Sequence, residues 1–273
     1  MSGRSSSRTE LAALCVGLGL LAVAWPLAGC RKPHGPAEPL KVAAASDLSF
    51  AFKDLGEAYE KKTGRSVVFS FGSTGLLEKQ IAEGAPFDVF AAANVSYADD
   101  AVHAGACRGD SKAIYATGRI VLYTPGDAGF APAAVAELTD PRVKRIAIAN
   151  PGHAPYGKAA KEAMEHAGVW DAVQGKLVYG ENVQQTLQFA QSGNADVAVV
   201  ALSLATVTPG RASPIPPELH SPIEQAMVVC NAGKAGAAAG REFVTFVQSA
   251  EGRAVMRRFG FLLPGESMAT AKP

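Results

Sequence analysis

The sequence predicts an α/β protein of two units, each a mainly parallel sheet covered by helices, joined through hinges. Three observations predict it. Short apolar runs alternate with helix-period segments between residues 40 and 92, and β-α-β-α-β order is what a parallel sheet with helical crossovers requires. The same alternation restarts between residues 145 and 201. Between the two series lies Thr124-Pro125-Gly126-Asp127, a turn able to carry the chain from one unit into the next.

Each element has its own local signal. Leu40 to Ala45 reads as a strand, and Phe50 to Lys62 as a helix with Phe52, Leu55 and Tyr59 on one face. Val67 to Phe71 is a second strand, Leu76 to Glu83 a second helix and Asp88 to Ala92 a third strand; Ile120 to Tyr123 follows as another strand before the turn. In the second series Arg145 to Ala149, Leu177 to Tyr179 and Val197 to Ala201 are strands, separated by helices over Tyr156 to Ala167 and Val183 to Gln191. Pro209 to Pro222 is proline-rich and reads as a surface connection. Ala226 to Val229 is then a strand, and Arg241 to Phe259 forms closing helices. The first lobe is expected over 40–122 and 205–273 and the second over 123–204, with crossings near Leu122 to Thr124 and Leu202 to Ala205.

The start of the chain reads differently. Arg4 and Arg8 make a basic opening, Leu11 to Trp25 is a mostly apolar stretch too short for a comfortable membrane span, and Leu27-Ala28-Gly29-Cys30 forms a cleavage region. Small residues just before a Cys resemble a bacterial lipobox. Residues 1–29 are therefore expected to be a lipoprotein signal peptide, with export, cleavage before Cys30 and a lipid anchor on that Cys. An ordinary signal peptide or a single anchor helix is the alternative. Residues 30–39 read as a flexible tether.

Charge and cysteine usage narrow the function classes. The formal net charge is +1, and it falls to zero without residues 1–29. No basic stripe marks a nucleic-acid surface. Of the four Cys, Cys15 leaves with the leader and Cys30 carries the lipid. Cys107 and Cys230 remain, either as a disulfide in an oxidising compartment or as two separate core thiols. There is no C-x-x-C and His is scattered, so no protein metal centre and no cofactor is expected.

The chemistry gathers at four strand-to-helix junctions. They are Ala43 to Asp47, Gly72-Ser73-Thr74-Gly75, the NPGHAPYG segment from Asn150 to Gly157, and Gly180-Glu181-Asn182-Val183. Each places free amide N–H groups and the positive end of a helix dipole at the carboxyl edge of a sheet, where open α/β sheets bind ligands. Small residues let the backbone approach closely. Ser46, Ser73, Thr74 and Tyr156 add hydroxyls, and the cation nearest the motifs is Lys158, just after Gly157. Such neutral donors suit a small tetrahedral oxyanion. For any single junction, a plain helix cap explains Ser or Thr as well. Four in two lobes point to one cleft. The P-loop spacing G-x-x-x-x-G-K-[ST] is absent, which weakens a nucleotide reading.

These junctions also carry a family resemblance. AAASDL from Ala43, FSFGSTGLL and QIAEGAPFDVF through Phe90, NPGHAPYG, and GENVQQTLQFAQSGNADVAVVALS resemble the extracytoplasmic molybdate-binding proteins of bacterial ABC importers. The resemblance covers nearly all of the chain after the leader. It implies a two-lobed, type II periplasmic-binding-protein fold, without catalysis, that closes as a monomer on molybdate or tungstate and delivers it to a membrane permease. Carried over by position, Ser46 is a hydroxyl ligand, Asp47 lies where some members use a backbone N–H, Thr74 takes a position that is usually Ser, and Ser73 is its neighbour. Val183 is implied as a main-chain donor. One branch has a ligand Tyr where this chain has Ala201, and another has it where this chain has Tyr156.

Asp47 and His153 need separate weighing. A carboxylate beside a dianion is repulsive, so Asp47 is expected to turn outward and cap the following helix; an inward carboxylate would favour phosphate, which keeps a proton near neutral pH. His153 reads as a loop turn residue. The competing functions are a phosphate- or sulfate-binding protein of the same fold, and a two-lobed enzyme acting on a small anion. No Ser-His-Asp set or paired carboxylate stands at the junctions to support the latter.

Overall fold

The computed structural model describes residues 38–266. The leader, Cys30 and most of the tether lie outside the described residues. Among those described, the first series runs β1 (Leu40–Ala45), a 3-10 turn Ser46–Leu48, α1 (Ser49–Thr63), β2 (Val67–Gly72), α2 (Thr74–Ala82), β3 (Val89–Ala92), α3 (Val95–His103), β4 (Ala113–Gly118) and β5 (Ile120–Thr124). The second runs β6 (Ile146–Ala149), α4 (Pro155–His166), α5 (Trp170–Val173), β7 (Leu177–Gly180), α6 (Val183–Gln191), β8 (Val197–Ala201) and α7 (Leu202–Ala205). The chain ends with β9 (Arg211–Pro214), β10 (Ile223–Val229), α8 (Gly236–Gln248) and α9 (Ala250–Arg258).

Two five-stranded sheets result, ordered β2-β1-β3-β10-β4 and β7-β6-β8-β5-β9. In each, three parallel strands meet one antiparallel strand that returns from elsewhere in the chain. Helices cover the sheets, which is the expected α/β, type II two-lobed arrangement.

The lobe boundaries differ from the sequence expectation. Ile120–Thr124 pairs with β8 and β9, so it belongs to the second sheet and not to the end of the first lobe. Part of the proline-rich connection, Arg211–Pro214, is an edge strand of that same sheet. The chain therefore crosses between Gly118 and Ile120 and returns between Pro214 and Ile223. An apolar run buried on both faces carries no mark of which sheet it joins, and an edge strand tolerates proline.

Local chemistry explains the helix ends. Gly64, at φ 74°, closes α1 in the left-handed conformation. Asn94, Asn182 and Ser249 cap α3, α6 and α9 through side-chain oxygens that accept first-turn amides. The first-lobe core is aromatic: Tyr59 and Phe243 meet edge-on at 5.3 Å, with Phe52 and Phe69 alongside. The buried Asp88 joins distant segments, its carboxylate accepting from Lys41 N, Ala235 N and Gly236 N. Cys107 and Cys230, both buried, are joined in a disulfide between the ends of α3 and β10.

Candidate functional site

Strand register builds the site. Ala45 of β1 pairs with Gly72 of β2, so the residues that follow, Ser46 and Ser73, leave the sheet side by side. In the second sheet Ala149 pairs with Gly180, which brings the Asn150 and Glu181 loops together in the same way. All four junctions meet in one cavity lined by Ala45, Ser46 and Asp47, Gly72, Ser73, Thr74 and Ala93 from the first lobe, and Ala154, Pro155, Tyr156, Asn182 and Val183 from the second. Ser46, Asp47, Ser73, Thr74, Tyr156 and Val183 are each buried. The structure thus gathers every residue the sequence singled out for ligand contact.

The cavity is small, about 10 Å³, close to what a single water-sized group requires. Its lining contains no Lys, Arg or His. Lys158 turns away, its side chain 66% exposed and 3.9 Å from Glu162. The donors available are first-turn amides, which no intrahelical carbonyl can serve. Val183 is the first residue of α6, Thr74 the first of α2, and Tyr156 the second of α4.

The side-chain hydroxyls divide into two roles. Thr74 Oγ1 accepts from Ala93 N at 3.3 Å, which leaves its own proton to donate. Ser73 instead joins the two lobes: its Oγ lies 2.7 Å from His153 Nδ1 and donates to the His153 carbonyl at 2.8 Å. Gly75 N donates to that same carbonyl at 3.0 Å. A Cβ at residue 75 would stand 2.9 Å from it, so glycine is required for the approach. His153 is therefore a bridging residue and not merely a turn.

Asp47 also departs from expectation. It does not turn outward and caps nothing; the residue preceding α1 makes no side-chain cap bond. Asp47 is 1% exposed and its Oδ2 accepts from Tyr156 OH at 2.9 Å and Gln225 Nε2 at 2.6 Å. Gln225 also donates to Tyr156 OH at 3.0 Å and accepts from Tyr115 OH at 2.8 Å. The Tyr156 ring lines the cavity, but its hydroxyl proton is held by Asp47. A Cβ at Gly118 would stand 2.1 Å from that phenol oxygen, which explains the glycine at the end of β4. Burial pushes the Asp47 carboxyl up to about 6, against the opposing hydrogen bonds from Gln225 and Tyr156. Burial, and then the Asp47 charge, push both Tyr156 and Tyr115 well above the usual phenol range.

Sequence reasoning missed Gln225, Tyr115 and Ser203, whose Oγ donates to the Asp47 carbonyl at 2.8 Å. One signal was available: Gln225 stands inside the apolar run IEQAMVV and is fully buried. Ala201 ends β8 and is not part of the lining.

Known proteins share this architecture. Residues 40–262 match the family described as bacterial extracellular solute-binding protein. The chain is 35% identical over 221 residues to the molybdate-binding protein ModA of Rhodobacter capsulatus, spanning 81% of this chain and 86% of that protein. With the ModA of Azotobacter vinelandii it shares 33% over 252 residues, spanning 91% and 95%. The solved structure of the periplasmic molybdate-binding protein of A. vinelandii aligns with a TM-score of 0.76 at 29% identity, over 82% of this chain and 99% of that one. Two sheets with a small cavity at their carboxyl edges, and a family match along almost the whole folded region, make this chain a member of the bacterial extracellular solute-binding proteins.

Proposed function

We propose that this chain captures molybdate in the cavity between its lobes, outside the cytoplasmic membrane, and hands it to the permease of an ABC importer. Ser46, Asp47, Ser73, Thr74, Tyr156 and Val183 are the proposed contact residues, with Asp47 and Val183 acting through main-chain N–H groups and Ser73 acting mainly through its bridge to His153. The observation that carries the reading is a small cavity lined by hydroxyls and helix-start amides from both lobes and by no cation among the described residues. Uncharged donors hold a permanent dianion by charge-assisted hydrogen bonds, and the relatives named above are molybdate-binding proteins. Tungstate, of the same shape and charge, is the alternative cargo. Anchoring through a lipidated Cys30, a monomeric state and the absence of any catalytic step belong to the same proposal.

The buried Asp47 carboxylate favours a second reading. A carboxylate in the wall of the site suits an anion that brings its own proton, as phosphate does. Competition calorimetry across molybdate, tungstate, sulfate and phosphate separates the two. Tight molybdate binding with much weaker sulfate and phosphate binding is expected; equal affinities for all four would end the molybdate assignment.

A further inference from the structure

Asp47 belongs to the lining of the cavity proposed to seat a dianion, and its buried carboxylate is only half satisfied. Oδ2 of Asp47 accepts two hydrogen bonds, whereas Oδ1 is one of two buried side-chain polar atoms with no partner among the described residues; the other is Ser49 Oγ, two positions along. A buried, unpartnered carboxylate oxygen is costly when ionised. A second negative species alongside makes it costlier, because like charges disfavour the charged form.

The groups facing Asp47 offer no cation to offset this. From α4 comes Tyr156, from β10 Gln225, and from β4 Tyr115 behind Gln225. From α7 comes Ser203, bonded to the backbone of Asp47. All are neutral, and the two phenols stay protonated through neutral pH. Across the cavity, His153 is engaged with Ser73. The ordinary remedies for a charge pair of like sign, a bridging Lys or Arg or exposure to water, are missing from this set of contacts.

We propose that the site loads its dianion together with one proton, and that Asp47 takes that proton from solvent onto Oδ1. The inference rests on the oxyanion reading above. Protonation removes the repulsion and gives the unpartnered oxygen a hydrogen. It also weakens the hold of Asp47 on the Tyr156 hydroxyl, since a neutral acceptor binds a donor less strongly than a carboxylate does. The folded carboxyl, already pushed up to about 6 by burial, is poised for this exchange near neutral pH. Asp47 thereby makes anion affinity depend on proton concentration, strong on the acid side and weaker on the alkaline side.

Calorimetry of molybdate binding to the full chain tests this, in two buffers of different ionisation enthalpy and from pH 6.5 to pH 9. Uptake of about one proton per anion near pH 7 is expected, with the dissociation constant rising about tenfold between pH 7 and pH 8. Asp47→Asn should lose that slope, while His153→Gln should keep it. A flat profile without proton uptake in the unaltered chain overturns the inference and leaves the oxyanion reading standing. So does a slope that survives Asp47→Asn or vanishes with His153→Gln. Absence of molybdate binding at every pH overturns the inference together with the molybdate assignment.

Discussion

Ser73 and His153 are joined by two bonds through a single hydroxyl, one to the ring nitrogen at 2.7 Å and one to the carbonyl at 2.8 Å. Ser73 stands just before a first-lobe helix and His153 sits in the loop before a second-lobe helix. A hydroxyl has one proton. If Oγ gives it to the carbonyl, the arrangement that satisfies both ends has Nδ1 protonated and donating to Oγ. The pair is thus a latch between the two lobes. His153→Ala is expected to loosen the closed state and weaken molybdate binding by about 1 kcal/mol, the net value of one such hydrogen bond, chiefly through faster release. Stopped-flow release rates read this directly, and small-angle scattering with and without molybdate reads closure itself. Unchanged release would show that the lobes close without the latch.

Thr74 is expected to be a direct donor. Its oxygen is already an acceptor for Ala93 N, so its proton is the part left for a ligand. Thr74→Ala should weaken oxyanion affinity by roughly 1–3 kcal/mol, the range for a hydrogen bond to a charged group. Thr74→Val keeps the shape and removes only the hydroxyl, so it should lose as much. A titration in which both variants bind like the unaltered chain would remove Thr74 from the contact set.

Asp47 should also leave its mark on stability without any ligand. Its carboxyl holds a proton more tightly in the fold, at about 6, than at the ordinary 3.8, so protonation favours the folded state. That contribution is complete below about pH 4 and is lost as the pH rises through 6, amounting to about 2–3 kcal/mol. Asp47→Asn cannot ionise and escapes the loss. Urea unfolding should find the variant more stable than the unaltered chain at pH 7, with the gap closing toward pH 4. A gap that is constant with pH would mean the carboxyl does not titrate in this range.

The Cys107–Cys230 bond spans 123 positions of sequence. Closing so long a loop restricts the unfolded chain, and loss of a native disulfide typically costs about 2–5 kcal/mol. Thermal melts with and without reductant, and of a Cys107→Ser, Cys230→Ser double variant, should show that decrease. Equal melting temperatures would mean the folded state gains little from the link.

Much of this molecule was legible in its local patterns. The strand at Leu40–Ala45, the helix Val183–Gln191 and the strand Val197–Ala201 occur where periodicity places them. The junction residues were legible because a strand end followed by Ser, Thr or Asn and then a helix is a short-range chemical pattern. Ala113–Gly118 carries no assignment from sequence, and the expected boundary after residue 122 puts Ile120 to Leu122 in the first lobe although they pair in the second sheet. Strand pairing is a relation between segments, and nothing inside either run states its partner.

By itself the sequence determined the alternation of elements and the family resemblance. It also placed hydroxyl-bearing residues at three of the four junctions and Asn182 at the fourth, since each of those depends on neighbours a few positions away. Tertiary structure alone decided that Asp47 faces Tyr156 and Gln225, 109 and 178 positions distant, and that Ser73 meets His153 across 80. The difference has a physical cause. Caps and periodicity are local free-energy preferences of the chain, whereas the burial and partners of a carboxylate are set by whichever distant surfaces packing brings against it.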